Sequence, residues 1–207
     1  MKRLYFILVL WIGKFGNVLC KIFHKSGTMI SGKVAVKLQK NFVKYFRNID
    51  YDKVIFITGT NGKSTTTNLV SHTVKMAGKE VATNTEGANM MSGVATTLIK
   101  NSSLFGKFNK EFLILEIDER SLRNIFKVLP AKNLCITNLQ KDQVQRNGDP
   151  DFIYQMFKGA VNKDVTLFVN NEEPRSRSLE DYVGKVVYYS MEKNSKTLPK
   201  QALSWKI

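Results

Sequence analysis

Between the apolar run Val54–Thr58 and a stretch that reads as a helix lies Thr58-Gly59-Thr60-Asn61-Gly62-Lys63-Ser64-Thr65. This octapeptide constrains the fold more than any other segment of the chain. A strand that ends in a glycine-containing turn and opens a helix turns backbone N–H groups inward, where they close around phosphate oxygens. The helix N-terminus adds partial positive charge at the same point. Lys63 would reach the outer phosphates, and the Ser64 hydroxyl would face Mg²⁺. Gly59, Thr60, Asn61, Gly62, Lys63, Ser64 and Thr65 are therefore the candidate binding residues for ATP·Mg²⁺. The common G-x-x-x-x-G-K-[ST] spacing fails, because Ile57 stands five before Gly62, and a shorter T-G-T-N-G-K-[ST] form takes its place. Without a ligand to organise it, Gly62-Lys63-Ser64-Thr65-Thr66-Thr67 is a poor helix start.

Short apolar runs recur downstream at 81–83, 112–117, 134–137, 165–169 and 186–189. Helical stretches separate them, at 63–77, 93–100, 121–129, 151–161 and 175–183. Such alternation predicts an α/β domain with a parallel sheet and right-handed crossovers. Ligands of such sheets gather beyond the carboxyl ends of the strands. Glu116 closes the run 112–115 at that edge. Carboxylates are hard ligands suited to Mg²⁺, so Glu116 joins Ser64 as a candidate metal ligand and Lys63 as a candidate catalytic residue. Asp118 and Glu119 follow, with directions that depend on where the strand stops. Asn138 lies just past the run at 134–137 and would position phosphate or metal-bound water, or belong to a plain loop. Asn89, in the segment 86–93, would hydrogen-bond substrate or phosphate, or cap a helix. Asn171, past the run at 165–169, would touch the nucleotide or sit in a turn. His24 and His72 are isolated and are given no catalytic role.

The net charge is +15, and residues 1–50 hold ten Lys/Arg against one acid, Asp50. That excess suits an anionic partner or a solvated basic face. Met1-Lys2-Arg3 precedes nine apolar residues, too few to span a bilayer, and no signal cleavage site follows. Leu8, Ile12, Phe15, Leu19 and Ile22 recur at helical spacing. Two readings stand for that amphipathic helix: packing on the protein, or lying on an anionic membrane. Two cysteines, Cys20 and Cys135, exclude a disulfide framework and a four-cysteine zinc site, and both are read as reduced thiols. A nucleic-acid-binding protein is the alternative that the charge raises. Phe42, Tyr45 and Phe46 look like helix packing rather than a stacking platform, so no nucleic-acid partner is expected.

The segments T-G-T-N-G-K-S-T, N-T-E-G-A-N-M, L-E-I-D-E, T-N-L-Q-K-D-Q and V-N-N-E-E-P, in that order, resemble the central domain of the Mur ligase family. The resemblance runs from about Met1 to Tyr189, and the phosphate loop is its most specific part. Folylpolyglutamate synthases share that loop but not the E-G-A-N and D-Q segments. Those segments are similar to the branch whose ligase subunit works with a GatD-like glutaminase on lipid II. The resemblance implies that ATP phosphorylates the α-carboxylate of D-glutamate in lipid II. Ammonia from the glutaminase would then attack the acyl phosphate and give D-isoglutamine, for peptidoglycan synthesis. It implies that Lys63 contacts phosphates, that Ser64 and Glu116 hold Mg²⁺, and that Asn89 and Asn138 line the site. The reduced thiols suit a cytoplasmic protein, peripheral at the inner face of the membrane if the basic amphipathic helix lies on lipid.

The chain departs from that pattern in four ways. Gln143 stands where ordinary Mur ligases carry a His that helps hold Mg²⁺. Gln145 and Asn147 replace an Asp and a Tyr. The four-cysteine zinc ribbon of the family has no ligands here, and a C-terminal domain with further catalytic residues is missing. The expectation is a basic amphipathic segment at 1–50, an incomplete ATP-binding domain at 51–190 and a polar tail at 191–207, with ligase activity absent from the chain alone.

Overall fold

A computed structural model describes residues 2–22, 29–84, 88–139 and 150–190. Six strands form one sheet: β1 (Val54–Thr58), β2 (Val81–Thr83), β3 (Phe112–Glu116), β4 (Asn133–Ile136), β5 (Thr166–Asn170) and β6 (Lys185–Tyr189). All pairings are parallel, in the spatial order β2-β3-β1-β4-β5-β6. The α/β parallel-sheet class read from the alternation is the class observed. Strands β1 and β3 are apolar without alternation because helices cover both faces of the sheet. The covering helices are α3 (Lys63–Met76), α4 (Met91–Lys100), α5 (Leu122–Phe126), α6 (Pro150–Lys158) and α7 (Pro174–Arg177). They follow α1 (Lys2–Ile22) and α2 (Ile30–Leu38).

The strand order fixes where a ligand can sit. From β1 the chain runs to β2 and β3 on one side, then crosses to β4, β5 and β6 on the other. Such a reversal opens a crevice beyond the carboxyl ends of the adjacent strands, here β1 and β4. The register sets Ile57 opposite Glu116 and Thr58 opposite Ile136, so the loops after β1, β3 and β4 leave the sheet at one level.

The N-terminal segment differs from its sequence reading. The apolar stretch is longer than nine residues: Lys2–Cys20 lies on one helix, long and apolar enough by length and composition to cross a membrane. One side of that helix is nonetheless docked. Phe6, Val9 and Leu10 are buried, and the Phe6 ring lies 5.1 Å from that of Phe42 and 5.2 Å from that of Phe46. Lys14 Nζ donates to the carbonyls of Ile99 and Ser102 at 2.8 and 2.6 Å, and its partial burial holds its pKa below the usual lysine range. The stripe Leu8, Ile12, Phe15, Leu19 and Ile22 faces outward instead. The remainder of the basic segment is not one continuous helix. Helix α2 stops at Gln39, and Phe42–Tyr45 forms a 3-10 turn that drives Phe42 and Val43 into the core. The helix expected at 175–183 is split into α7 and a 3-10 turn at Glu180–Tyr182.

Candidate active site

The loop after β1 is shaped by two glycines and held by its neighbour. Gly59 has φ 128°, and a Cβ there would run into Thr137 Oγ1 and the Asn138 backbone. Gly62 has φ 81° at the start of α3, a left-handed angle that glycine adopts without strain. Asn138, past β4, braces the loop. Its carbonyl accepts from Thr60 N at 2.9 Å, its Oδ1 accepts from Asn61 N at 3.0 Å, and its Nδ2 donates to Asn61 O at 3.0 Å. Thr137 Oγ1 donates to the same Asn61 carbonyl at 2.7 Å. The structure therefore places Asn138 under the loop as its scaffold.

Two carboxylates face the first turn of α3. Ser64 Oγ donates to Glu116 Oε2 at 2.6 Å, and Asn89 Nδ2 donates to Glu116 Oε1 at 3.0 Å. Glu116 is the last residue of β3, so its side chain leaves the sheet at the crevice. Lys63 Nζ donates to the carbonyls of Gly59 and Thr60 and pairs with Glu119 at 3.0 Å. Burial raises the Glu119 pKa above the usual carboxylate value, with Lys63 acting in the opposite sense. Lys63 thus lies folded back on its own loop, with Glu119 as its counter-ion.

Asn84 is a residue the sequence reading passed over. It follows β2 and is buried. Its Oδ1 accepts from Glu116 N at 2.8 Å, and its Nδ2 donates to Glu116 O at 2.8 Å and Ala88 O at 2.7 Å. This pins the Glu116 backbone to the loop that carries Asn89. An Asn directly after a strand, on the ligand-bearing edge, was the signal available in the sequence.

Other candidates lie elsewhere. Asp118 Oδ1 accepts from Arg120 N and shapes the turn after β3. Thr65 is exposed on α3. Asn171 is buried at the carboxyl end of β5, where its N donates to Tyr189 O and its carbonyl accepts from Arg177. Strand β4 separates it from β1. Glu86, Gly87, Asp142, Gln143, Gln145, Asn147 and the tail 191–207 lie outside the described residues. A cleft of about 400 Å³ beside Tyr51, Arg123, Lys127 and Asn162 opens at the opposite, amino-terminal edge of the strands, away from these groups.

The donor set fits a nucleotide with Mg²⁺. A hydroxyl and a carboxylate 2.6 Å apart are hard oxygen donors, and Mg²⁺ takes one or two carboxylates with phosphates and waters. Among the described residues no group of three or more His, Cys, Asp or Glu is placed to hold a metal.

Residues 57–205 match the Mur ligase middle domain. The chain belongs to the Mur ligase family. It is similar to the MurT subunit of lipid II isoglutaminyl synthase (glutamine-hydrolyzing) from Staphylococcus aureus strain COL, with 30% identity over 181 residues, 87% of this chain and 40% of that protein. The MurT subunit from Streptococcus pneumoniae strain ATCC BAA-255 / R6 is 35% identical over 150 residues, 72% of this chain and 33% of that protein. The chain thus spans two fifths or less of those two relatives. Among solved structures, the MurF ligase of Thermotoga maritima in complex with ADP shares the fold. Its TM-score is 0.59 at 17% identity, covering 78% of this chain and 37% of that one.

Proposed function

We propose that this chain is the ATP·Mg²⁺-binding part of an ATP-dependent amide ligase. The ligase would amidate the D-glutamate α-carboxylate of lipid II to D-isoglutamine in peptidoglycan synthesis. A GatD-like glutaminase subunit would supply the ammonia. The observation that carries the reading is Ser64 and Glu116 in contact at the mouth of a glycine loop, with Asn89 on the free oxygen of Glu116. The similarity to MurT supports the substrate and the partner. The work would take place in the cytoplasm, at the inner face of the membrane.

In this reading the backbone N–H groups of the Gly59–Ser64 loop and the N-terminus of α3 bind the phosphates. Lys63 exchanges its carbonyl and Glu119 contacts for the outer phosphates. Ser64 and Glu116 hold Mg²⁺, which screens phosphate charge when bound. The γ-phosphoryl group passes to the substrate carboxylate, releasing ADP, and ammonia displaces phosphate from the acyl phosphate to form the amide. Catalysis of such transfers is mostly positioning and charge stabilisation.

The test is calorimetric titration with a non-hydrolysable ATP analogue and Mg²⁺. Lys63→Ala should lose at least tenfold in affinity while the protein stays folded, with some loss of melting temperature because Glu119 is left without its counter-ion. Equal affinities for the two forms would overturn the phosphate-loop reading.

A further inference from the structure

Helix α1 has two apolar faces, and only one is covered by the described residues. At about 100° per residue, Phe6, Val9, Leu10 and Gly13 fall on one side. All four are buried, against the 42–46 turn, Gly106 and Ile99. The opposite side spans roughly 100° of arc at that same spacing and carries Leu8, Trp11, Ile12, Phe15, Leu19 and Ile22, all exposed. A helix apolar on both sides is expected to be covered on both.

A second segment extends this surface. Trp11 Nε1 donates to Leu104 O at 2.9 Å, and Arg3 donates to Phe105 O at 3.3 Å. The turn they hold presents Leu104 and Phe105 at 59% and 64% exposure. Two stretches about ninety residues apart thus offer large apolar side chains side by side. Trp11 keeps its N–H satisfied while its ring remains exposed, the habit of aromatic residues at membrane interfaces.

Charge decides what covers the surface. Helix α1 contains no acidic residue, and residues 1–50 carry ten basic side chains against Asp50 alone. Lys2, Lys33, Lys37, Lys40, Lys44 and Arg47 are exposed. A second copy packed symmetrically on α1 would set this positive charge against its equal. An anionic lipid headgroup layer offers the opposite charge and an apolar layer beneath it. Spanning the bilayer would pull Phe6, Val9 and Leu10 out of the core and break the Lys14 contacts, so the helix lies along the surface.

We infer that the exposed side of α1, with Leu104 and Phe105, is a docking face for an anionic membrane. This deepens the membrane-proximal location given above, and rests on that reading only for why a membrane would be visited. The test is co-sedimentation of the full chain with vesicles of phosphatidylglycerol and phosphatidylcholine. Binding should fall at least tenfold on pure phosphatidylcholine, and again as salt rises from about 0.05 to about 0.5 M. Trp11 emission should shift to the blue on binding, measured in a Trp205→Phe background. The double variant Phe15→Glu/Leu19→Glu should lose at least tenfold in vesicle affinity with unchanged nucleotide affinity and melting temperature. If that variant costs stability, Leu104→Glu/Phe105→Glu should give the same loss of vesicle binding.

No binding to anionic vesicles, or binding that neither double variant weakens, would overturn the inference. So would a dimer in solution that these substitutions dissociate, since a second copy would then be the occupant. Nucleotide affinity on the same preparations separates this result from the proposed function. Vesicle binding can fail while Lys63→Ala still abolishes nucleotide binding, and the reverse holds equally.

Discussion

Asn84→Ala tests whether Glu116, the proposed metal-binding carboxylate, is positioned by the fold. Asn84 makes three hydrogen bonds of 2.7–2.8 Å from a buried position, two of them to the backbone of Glu116. Removing the amide leaves the Glu116 N–H and the carbonyls of Glu116 and Ala88 without this partner. An unsatisfied buried group costs about 1–3 kcal/mol, and water entering the vacated space recovers part of that for groups near the crevice. We therefore expect a loss of about 2–3 kcal/mol by urea denaturation, within the range of large single-site effects. For a chain of this length that lowers the melting temperature by roughly 5–10 °C. The second readout is functional. With the Glu116 backbone unpinned, Mg²⁺-dependent nucleotide affinity should fall further than affinity measured in EDTA. A stability loss under about 0.5 kcal/mol would refute the hydrogen-bond argument. A full stability loss with unchanged Mg²⁺ dependence would show that Glu116 does not need Asn84.

Glu116→Gln should fold normally, since the amide can still pair with Ser64 and Asn89. It should weaken Mg²⁺-dependent nucleotide binding by about 10–100-fold, the loss of roughly 1.5–3 kcal/mol from a charged contact, and equal weakening with and without metal would make Glu116 purely structural. Glu119→Gln removes the counter-ion 3.0 Å from Lys63, so nucleotide affinity should rise several-fold, and a fall would show that Glu119 helps hold the nucleotide. Burial pushes the Cys135 thiol from 9.0 to about 11. It should react about a hundredfold more slowly with a disulfide reagent at pH 8 than an unshifted thiol. The raised value also means that its contribution to stability is complete below about pH 9 and is lost as pH rises through about 11, which unfolding titrations across that range would detect.

Much of the fold was legible because strand and helix periods are local. VIFIT and FLILE are short, apolar and rich in branched side chains, as buried parallel strands are, and the glycine loop fixed where the first strand must end. The site was legible one residue at a time. Ser64 and Glu116 could each be placed on the ligand-bearing edge, but their 2.6 Å contact depends on the β1–β3 register, which no local pattern encodes. The position of Asn84 after a strand was visible, but its role was not, for the same reason: its partners lie 4 and 32 residues away. The α1 stripe shows the converse limit. Helical spacing reveals that Leu8, Ile12, Phe15, Leu19 and Ile22 share a side, but not whether that side meets the protein. The packing role fell to Phe6, Val9 and Leu10 because the Phe42–Phe46 turn offers them an aromatic socket.

The two proposed surfaces, one for nucleotide and one for lipid, share α4. Asn89 stands just before that helix, and its side chain holds Glu116. Three residues farther on, Ser92 and then Thr96 meet α2, where Gly32 N donates to Thr96 Oγ1 at 3.0 Å. The far end of α4 receives α1: Lys14 is bonded to Ile99 O, and Gly13 lies against the Ile99 side chain. Thr96, Val94, Ala95, Leu98 and Ile99 are all buried, so α4 is a rigid strut and not a mobile link. A membrane held on the outer side of α1 would therefore stand at a fixed distance and angle from the Glu116 carboxylate. That is what a ligase needs when its acceptor carboxylate hangs from a lipid, because the headgroup must reach the γ-phosphate while the lipid tail stays in the bilayer. Gly13→Leu tests the rigidity. A Cβ at Gly13 would already come within 2.8 Å of Ile99 Cδ1; the rest of a leucine side chain has to displace Ile99 or α1, and vesicle binding should persist through the unaltered outer face. Nucleotide affinity should also persist, because Asn89 and Glu116 lie at the other end of α4. Amidation of lipid II in vesicles by the assembled ligase should fall, while amidation of a soluble lipid II analogue should not. Equal effects on both substrates would show that the orientation of α1 plays no part in presenting the lipid.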